Sequence, residues 1–432
     1  MPITRRGFVA SLACTGLAAP FIARTAVAQD GIANHESLQS AIDASTNGRL
    51  VLPPGEIFTS PIRLPSGFVL SGVPGASRLV HTGEGPLVLV DDVEGVTITG
   101  VAFDGDGADG EEWHGGLIHI TNASGVTIRD CAVTNTALNG IAALSSAVTI
   151  ETSRADASAR TGIFIYDGIA TTLRGNHIHD CGNGGIRVWR GENGPDGAIV
   201  TGNRIERIDW TSGGNGQNGN GINVFRADGV IVSDNWISDC AFSAIRLNTT
   251  DNCQVRGNTC LKSGEVAIFS EFGFSGSVIA NNIVDGAAAG ISMTNFNDGG
   301  RLATCTGNIV RNIAERSEVN PDTDPYGIAA EADAVISGNV VDSVPGIGIA
   351  AGWGPYLRDV TVTGNLVRDA DIGILVSVAE DAGAAAVTNN TIAGARRAAI
   401  AASRWDEVAT TDLAADAGDY PQLTVAGNSV RE

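Results

Sequence analysis

One short pattern recurs down this chain, an apolar residue, one more residue, then Gly, Asp or Asn, then Asn. It reads Val200-Thr201-Gly202-Asn203, Val232-Ser233-Asp234-Asn235 and Val255-Arg256-Gly257-Asn258, and continues through Asn282, Asn308, Asn339, Asn365 and Asn390 to Asn428. From Asn176 the Asn-to-Asn steps are 27, 32, 23, 24, 26, 31, 26, 25 and 38 residues. Upstream, Gly100, Cys131 and Thr152 hold the equivalent place in weaker copies. A period of this size marks stacked units, none of which can bury its apolar face alone.

A second landmark follows each Asn, a small residue, then Ile, one residue and an apolar one. Examples are Gly185-Ile186-Arg187-Val188, Gly221-Ile222-Asn223-Val224 and Ala244-Ile245-Arg246-Leu247. Each unit therefore reads as three short strands joined by three turns. Glycine, at 56 of 432 residues, supplies many of those turns. Leucine-rich repeats have a similar length but need Leu at fixed positions, and Leu is sparse here. The expected fold is all-β, a right-handed parallel β-helix of about 12 coils. Parallel stacking puts each Asn over the next, so the side-chain amides form a hydrogen-bonded ladder. Leu38, Ala41 and Ile42 mark the apolar side of a short helix that caps the open first coil.

The chain opens with Thr4-Arg5-Arg6-Gly7-Phe8, an apolar run from Ser11 to Ile22 and Ala26-Val27-Ala28 before Gln29. That order reads as an export signal over residues 1–28 rather than a membrane span. The paired arginines resemble a twin-arginine signal, with Val9-Ala10 departing from the usual Leu-Lys ending. The twin-arginine export machinery is then a partner, and the location is periplasmic or secreted. Residues 29–75 read as cap and first strands, and 76–432 as the β-helix. Formal charge is −21, and about −24 past residue 28, because that segment holds three arginines and no acid. Such a charge disfavours nucleic acid and anionic membrane as partners. Six cysteines follow the signal, and Cys181 and Cys240 share a coil position two coils apart. At roughly 10 Å they are too distant for a disulfide, so buried free thiols are expected.

The coil pattern from about Val51 to Val430 resembles the pectate-lyase-like right-handed parallel β-helix superfamily. The openings Leu50-Val51-Leu52-Pro53-Pro54-Gly55 and Leu64-Pro65-Ser66-Gly67 resemble the start of many carbohydrate-active members. Signal and repeats together also resemble a bacterial family of twin-arginine-exported repeat proteins. The resemblance implies the fold and a polysaccharide partner; it carries no activity of its own.

Three coils are much longer than the rest, and all at the same turn: Gly100 to Gly116, Asn203 to Gly221 and Asn308 to Gly327. Successive long turns stand four coils apart, roughly 19 Å, and are expected to wall one edge of a groove. The outward residues of the small-Ile strand form columns along the axis. The first contains His119, Phe164, Arg187, Asn223 and Arg246; the second Tyr166, Trp189, Phe225, Asn248 and Glu271; Arg190 and Arg226 follow in a third. Aromatic faces meet the C–H faces of sugar rings, and arginine grips carboxylates. Tyr166, Trp189, Arg190, Asn223, Phe225, Arg226 and Asn248 are therefore the candidate substrate-binding residues. Arg187 and Arg246, with Asn223 between them, are the candidate catalytic arginines for a lyase-type β-elimination on a uronate, where related lyases use Arg or Lys as base and Ca²⁺ as the cation that neutralises the carboxylate. Glu271 is the candidate acid for hydrolysis, although Asp167 lies four coils away, too far for the usual pair.

Asp104, Asp106 and Asp109, with Glu111 and Glu112, crowd one Gly-rich loop, where oxygen ligands suit Ca²⁺. His177 and His179 have no third ligand nearby and are not read as a zinc site. Lys262 reads as a surface ion pair. Two functions stay open: an exported protein binding or cleaving an acidic polysaccharide, most simply by lyase chemistry, and a non-catalytic envelope-binding or scaffold solenoid.

Overall fold

The computed structural model describes residues 37–107, 110, 113–214 and 216–431. The segment read as an export signal lies outside the described residues.

The coil built from Ile199–Thr201, Arg204–Ile208 and Asn220–Asp228 shows the plan. One strand of each coil joins a parallel sheet of 15 stacked strands, hence about 14 turns, and the other 26 strands build the remaining two faces. The parallel β-helix is thus as expected but longer than the Asn repeat counts. The first coils carry strands such as Arg49–Val51 and Val69–Ser71 with no ladder Asn to mark them.

Turns are made by single left-handed residues stacked in columns. One column runs Asp130, Thr152, Gly175, Gly202, Asp234, Gly257 and Asn281, with φ between 47° and 66°. Another runs Asn135, Ala157, Asp180, Arg207, Asp239 and Lys262, with φ between 49° and 56°. Gly, Asn and Asp adopt this backbone at least cost. In each coil from Asn176 onward, the residue after the first column is the ladder Asn. In the weak upstream copies the pairing corrects the expectation by one residue at two places. The ladder positions are Val101, Cys131 and Ser153, while Gly100 and Thr152 are the left-handed residues before them. Without Asn, nothing local distinguishes the turn residue from the inward one beside it.

The ladder runs unbroken from Asn176 to Asn428. Asn203 Nδ2 donates to Asn235 Oδ1 at 2.9 Å and to the Leu173 carbonyl at 3.0 Å, and its backbone N–H also donates to Asn235 Oδ1. Both amide hydrogens and the carbonyl of each Asn from Asn176 to Asn390 are satisfied in this way, as a buried amide requires. Ser153 extends the ladder upstream, accepting from the Cys131 N–H and donating its own N–H to Asn176 Oδ1.

Helix α1 (Leu38–Asp43) is capped by Ser37, whose side chain accepts the Ser40 N–H. It buries Leu38, Ala41 and Ile42 against Arg49–Val51 and Ile62–Arg63. One apolar core extends from there to Leu423. All six cysteines from Cys131 to Cys305 are free and buried in it. At the far end the strand Ala398–Arg404 folds back as Glu407–Thr410, the one antiparallel strand pair among the described residues. Val408 of this hairpin packs over Ile372, Leu375, Ala398 and Ala401.

Candidate functional site

The outward columns form as the alternation predicts. Arg187 pairs with Asn223, and Asn223 with Arg246. Tyr166, Trp189, Phe225, Asn248 and Glu271 follow one another in register one coil at a time. The small residue before Ile seats each strand. A Cβ on Gly221 would stand 2.6 Å from Ile237 Cγ2 and 2.7 Å from the Ala244 carbonyl, so any side chain there would push the strand outward.

Six of the expected residues, Trp189, Asn223, Phe225, Arg246, Asn248 and Glu271, line one cleft of about 270 Å³. Gly216 and Gln217 from the long turn and Phe272 complete it. Trp189 donates its indole N–H to Asn223 Oδ1 at 2.9 Å, which fixes the ring. Its centroid stands 5.8 Å from Phe225 and 5.6 Å from Phe164. Trp113, a residue the sequence reading passed over, folds in from the first long turn. Its ring lies 5.4 Å from Tyr166, 5.6 Å from Phe164 and 6.5 Å from Trp189. Its position just before the small-Ile strand, in a loop read only for its carboxylates, was the one available signal.

The two arginines expected to act together differ in their surroundings. Arg246 donates to Glu271 through Nε at 2.6 Å and Nη2 at 2.7 Å, and to Glu265 through Nη1 at 2.7 Å. All three residues are buried. Burial lowers the Arg246 pKa, but the ion pair with Glu271 outweighs it and leaves the guanidinium more basic than usual. Asn248 also donates to Glu271, and Asn320 to Glu265. Arg246 and Glu271, both expected as catalytic side chains, are instead engaged with each other, and Glu265, which the expectation did not include, is a second carboxylate on Arg246.

Arg187 has no carboxylate partner among the described residues. It donates to the Asn183 and Gln217 carbonyls and to Asn218 Oδ1. Its Nε is enclosed without a hydrogen-bond partner. The side chain keeps some accessible area, yet its guanidinium is packed round by neighbours, and that burial lowers its pKa to about 10. It remains charged at neutral pH, 4.7 Å from the Trp189 centroid. Arg226 donates to the Gly191 carbonyl at 2.7 Å and lies 4.8 Å from the Phe225 centroid, also without a carboxylate partner. Arg190 turns away from the cleft, toward the Gly168 carbonyl and to within 3.8 Å of buried Asp196.

The three long turns do stand in a row, since Gly107, Thr211, Arg316 and Glu318 line one groove of about 1110 Å³. Its floor is small, with Ala137, Ala159, Gly182, Ala241 and Gly264. The aromatic cleft lies on the other side of the row, on the next face of the helix. The turns therefore separate two concavities. The expected Lys262 ion pair forms with Asp239 at 3.4 Å.

Of the acids expected to bind Ca²⁺, Asp104 and Asp106 are described, and Asp104 already has partners. Asp104 is ion-paired with Arg78 and accepts from Asn135 Nδ2 and the Asp106 N–H. Asp109, Glu111 and Glu112 lie outside the described residues. Among the described residues no three His, Cys, Asp or Glu side chains are grouped to hold a metal. No helix among them is long and apolar enough to cross a membrane.

A family model described as a right-handed β-helix region matches residues 80–205 and 192–310. No curated protein matches the sequence. Among solved structures, the surface adhesin PfbA of Streptococcus pneumoniae is similar at 15% identity and a TM-score of 0.51, over 86% of this chain and 89% of that one. An α-1,3-glucanase catalytic domain, solved with nigerose, is similar at 13% identity and a TM-score of 0.51, over 95% of this chain and 70% of that one. A mannuronan C-5 epimerase A-module of Azotobacter vinelandii aligns over 91% and 93% of the two chains at 14% identity and a TM-score of 0.45. At these identities the likeness is one of fold.

Proposed function

The chain belongs to the right-handed β-helix family, and from that premise we propose that it is an exported protein that binds an acidic polysaccharide along its aromatic face. One observation carries this reading. Among the described residues Arg187 and Arg226 have no carboxylate partner, in a strongly acidic protein, and each lies against a ring of the Trp189–Phe225 pair. The Arg226 guanidinium, which donates to one backbone carbonyl, is open to a ligand carboxylate, Arg187 adds its charge from within the packed wall, and the rings offer faces to the sugar. Trp113, Tyr166 and Asn223 shape and fix the platform.

Binding is better supported than cleavage, because Arg246 is held by two carboxylates and is not available to neutralise a uronate. Lyase chemistry then rests on Arg187 as base, which its lowered pKa favours and its three hydrogen bonds oppose. Export by the twin-arginine route and the division at residues 28 and 75 belong to the same proposal.

The test is affinity electrophoresis of the purified protein in gels containing polygalacturonate, alginate, hyaluronan or a neutral glucan. Retardation by a uronate polymer that is lost in Arg226→Ala and Trp189→Ala supports the reading. Equal retardation by the neutral glucan removes the acidic specificity, and no retardation by any polymer overturns the proposal. Ultraviolet absorbance of an unsaturated uronate, lost in Arg187→Ala, would add lyase activity.

A further inference from the structure

A second cluster of exposed aromatic rings stands far from the cleft, on the same face. Trp353 is 40% and Trp405 48% exposed, and they meet edge to face with centroids 5.8 Å apart. Tyr356 makes a third contact, 6.4 Å from Trp405. Two large indoles that stay this open side by side form an exposed apolar patch of the kind that marks a contact surface.

The cluster is also rigid. Trp353 and Tyr356 close a tight turn through paired backbone hydrogen bonds of 2.9 and 3.2 Å. Gly354 between them packs directly on the Trp405 ring, where a Cβ would come within 2.6 Å of it. Trp405 sits at the tip of the terminal hairpin with φ 55°, a left-handed backbone that is uncommon for a bulky residue. Strain and exposure at one residue, held by packing around it, mark a place where a side chain is presented for contact.

Register puts this cluster in line with the cleft. The inward column beside the aromatic one runs Val188, Val224, Leu247, Ser270, Met293, Ala330 and Ala351, six coils from end to end. Trp189 follows Val188, as Gly352 and Trp353 follow Ala351. The separation along the axis is therefore about 29 Å. Between the clusters the first outward column falls to Ser292, Ala329 and Ala350, a low floor. Each end of the face is walled by a segment that folds back over it. Trp113 does so at one end, and the hairpin carrying Trp405, seated by Val408, at the other.

We propose that Trp353 and Trp405 form a second, remote subsite for the same polysaccharide chain, which lies along the face parallel to the helix axis and spans both clusters. This rests on the reading of the Trp189–Phe225 face as a polysaccharide site. The coil spacing is close to the advance of one sugar in an extended chain, so about six or seven sugars bridge the clusters. Stacking on an indole needs no particular substituent, so the remote subsite reads length rather than charge. The second contact acts at high effective concentration once the first is made.

The experiment is isothermal titration with size-fractionated oligomers of whichever of polygalacturonate, alginate and hyaluronan is retained, trimers against decamers. Wild type is expected to bind decamers at least about tenfold more tightly than trimers. Trp405→Ala and Trp353→Ala should erase that preference and leave trimer affinity unchanged, while Trp189→Ala weakens both lengths. Trp405→Phe, which keeps a ring at the hairpin tip, should retain most of it. Decamer binding unchanged in Trp405→Ala but lost in Trp189→Ala overturns the remote subsite and leaves the primary one standing. Equal loss for trimer and decamer in Trp405→Ala also overturns it, since that reports damage to the fold. If no uronate polymer is bound at all, both proposals fall together.

Discussion

Arg246 grips Glu271, one coil further along the helix, through two parallel hydrogen bonds of 2.6 and 2.7 Å, and gives its remaining nitrogen to Glu265. The pair lies at the floor of the aromatic cleft, out of water. Its charge balance, one cation against two anions, makes it a stability element as much as part of a site.

Removing Arg246 leaves two buried carboxylates facing each other. Arg246→Ala is expected to lower stability by about 3–5 kcal/mol. Arg246→Lys should also destabilise, because an ammonium cannot reproduce the forked contact with Glu271. Chemical denaturation of both variants checks this, and a change within error of zero would show that the cluster is well hydrated.

The ladder should weaken unequally along its length. Asn258→Ala removes an amide that joins Asn235 to Asn282 in the buried middle, and should cost about 3 kcal/mol. Asn428, partly exposed, is the last ladder Asn among the described residues, and its amide donates to the Val387 carbonyl alone. Asn428→Ala should cost well under half as much. Equal losses in urea melts would mean that water replaces the missing amide at either place.

Glu331 is buried, has no cation partner among the described residues, and accepts the Phe296 N–H. Burial raises its pKa from 4.5 to about 7, against the opposing effect of the backbone N–H groups. The folded state therefore holds this proton more tightly than the unfolded chain. Its contribution is fully present below about pH 4.5 and is lost as pH rises through about 7. Wild type should lose up to about 3 kcal/mol across that window, and Glu331→Gln should flatten this part of the profile. Asp196, raised to about 6 by burial, adds a smaller decline of the same sign. A Glu331→Gln profile parallel to wild type would assign the decline elsewhere.

The six cysteines from Cys131 to Cys305 should resist thiol reagents in the folded protein. Burial pushes the Cys131 thiol up to about 11 and those of Cys181 and Cys305 to about 12. The reactive thiolate is thus scarce as well as enclosed. All six should titrate only after denaturation, and reductant should leave the melting temperature unchanged. Rapid labelling of native protein would show local opening of the coils.

The sequence by itself determined the coil and what each coil points outward. Ladder Asn residues, left-handed turn residues and small-Ile strands are local features, and stacking repeats them, so the repeat alone puts Arg187, Asn223 and Arg246 in one column. That works because strand alternation has a period of two and every coil pairs with the next in register. Where the marker was missing, as at Val101 and Ser153, the reading slipped by one residue.

Only the tertiary structure decided how those outward groups are used. Glu265 reaches Arg246 from the start of the next strand segment, Trp113 bends out of a long turn onto Tyr166 and Trp189, and Trp405 arrives on a hairpin inserted between the last coil strands. Turns and hairpins are not stacked copies, so their paths are set by side-chain packing and charge neutralisation rather than by the repeat. For that reason the column of arginines was legible in the sequence, whereas which of them stays free of a carboxylate was not.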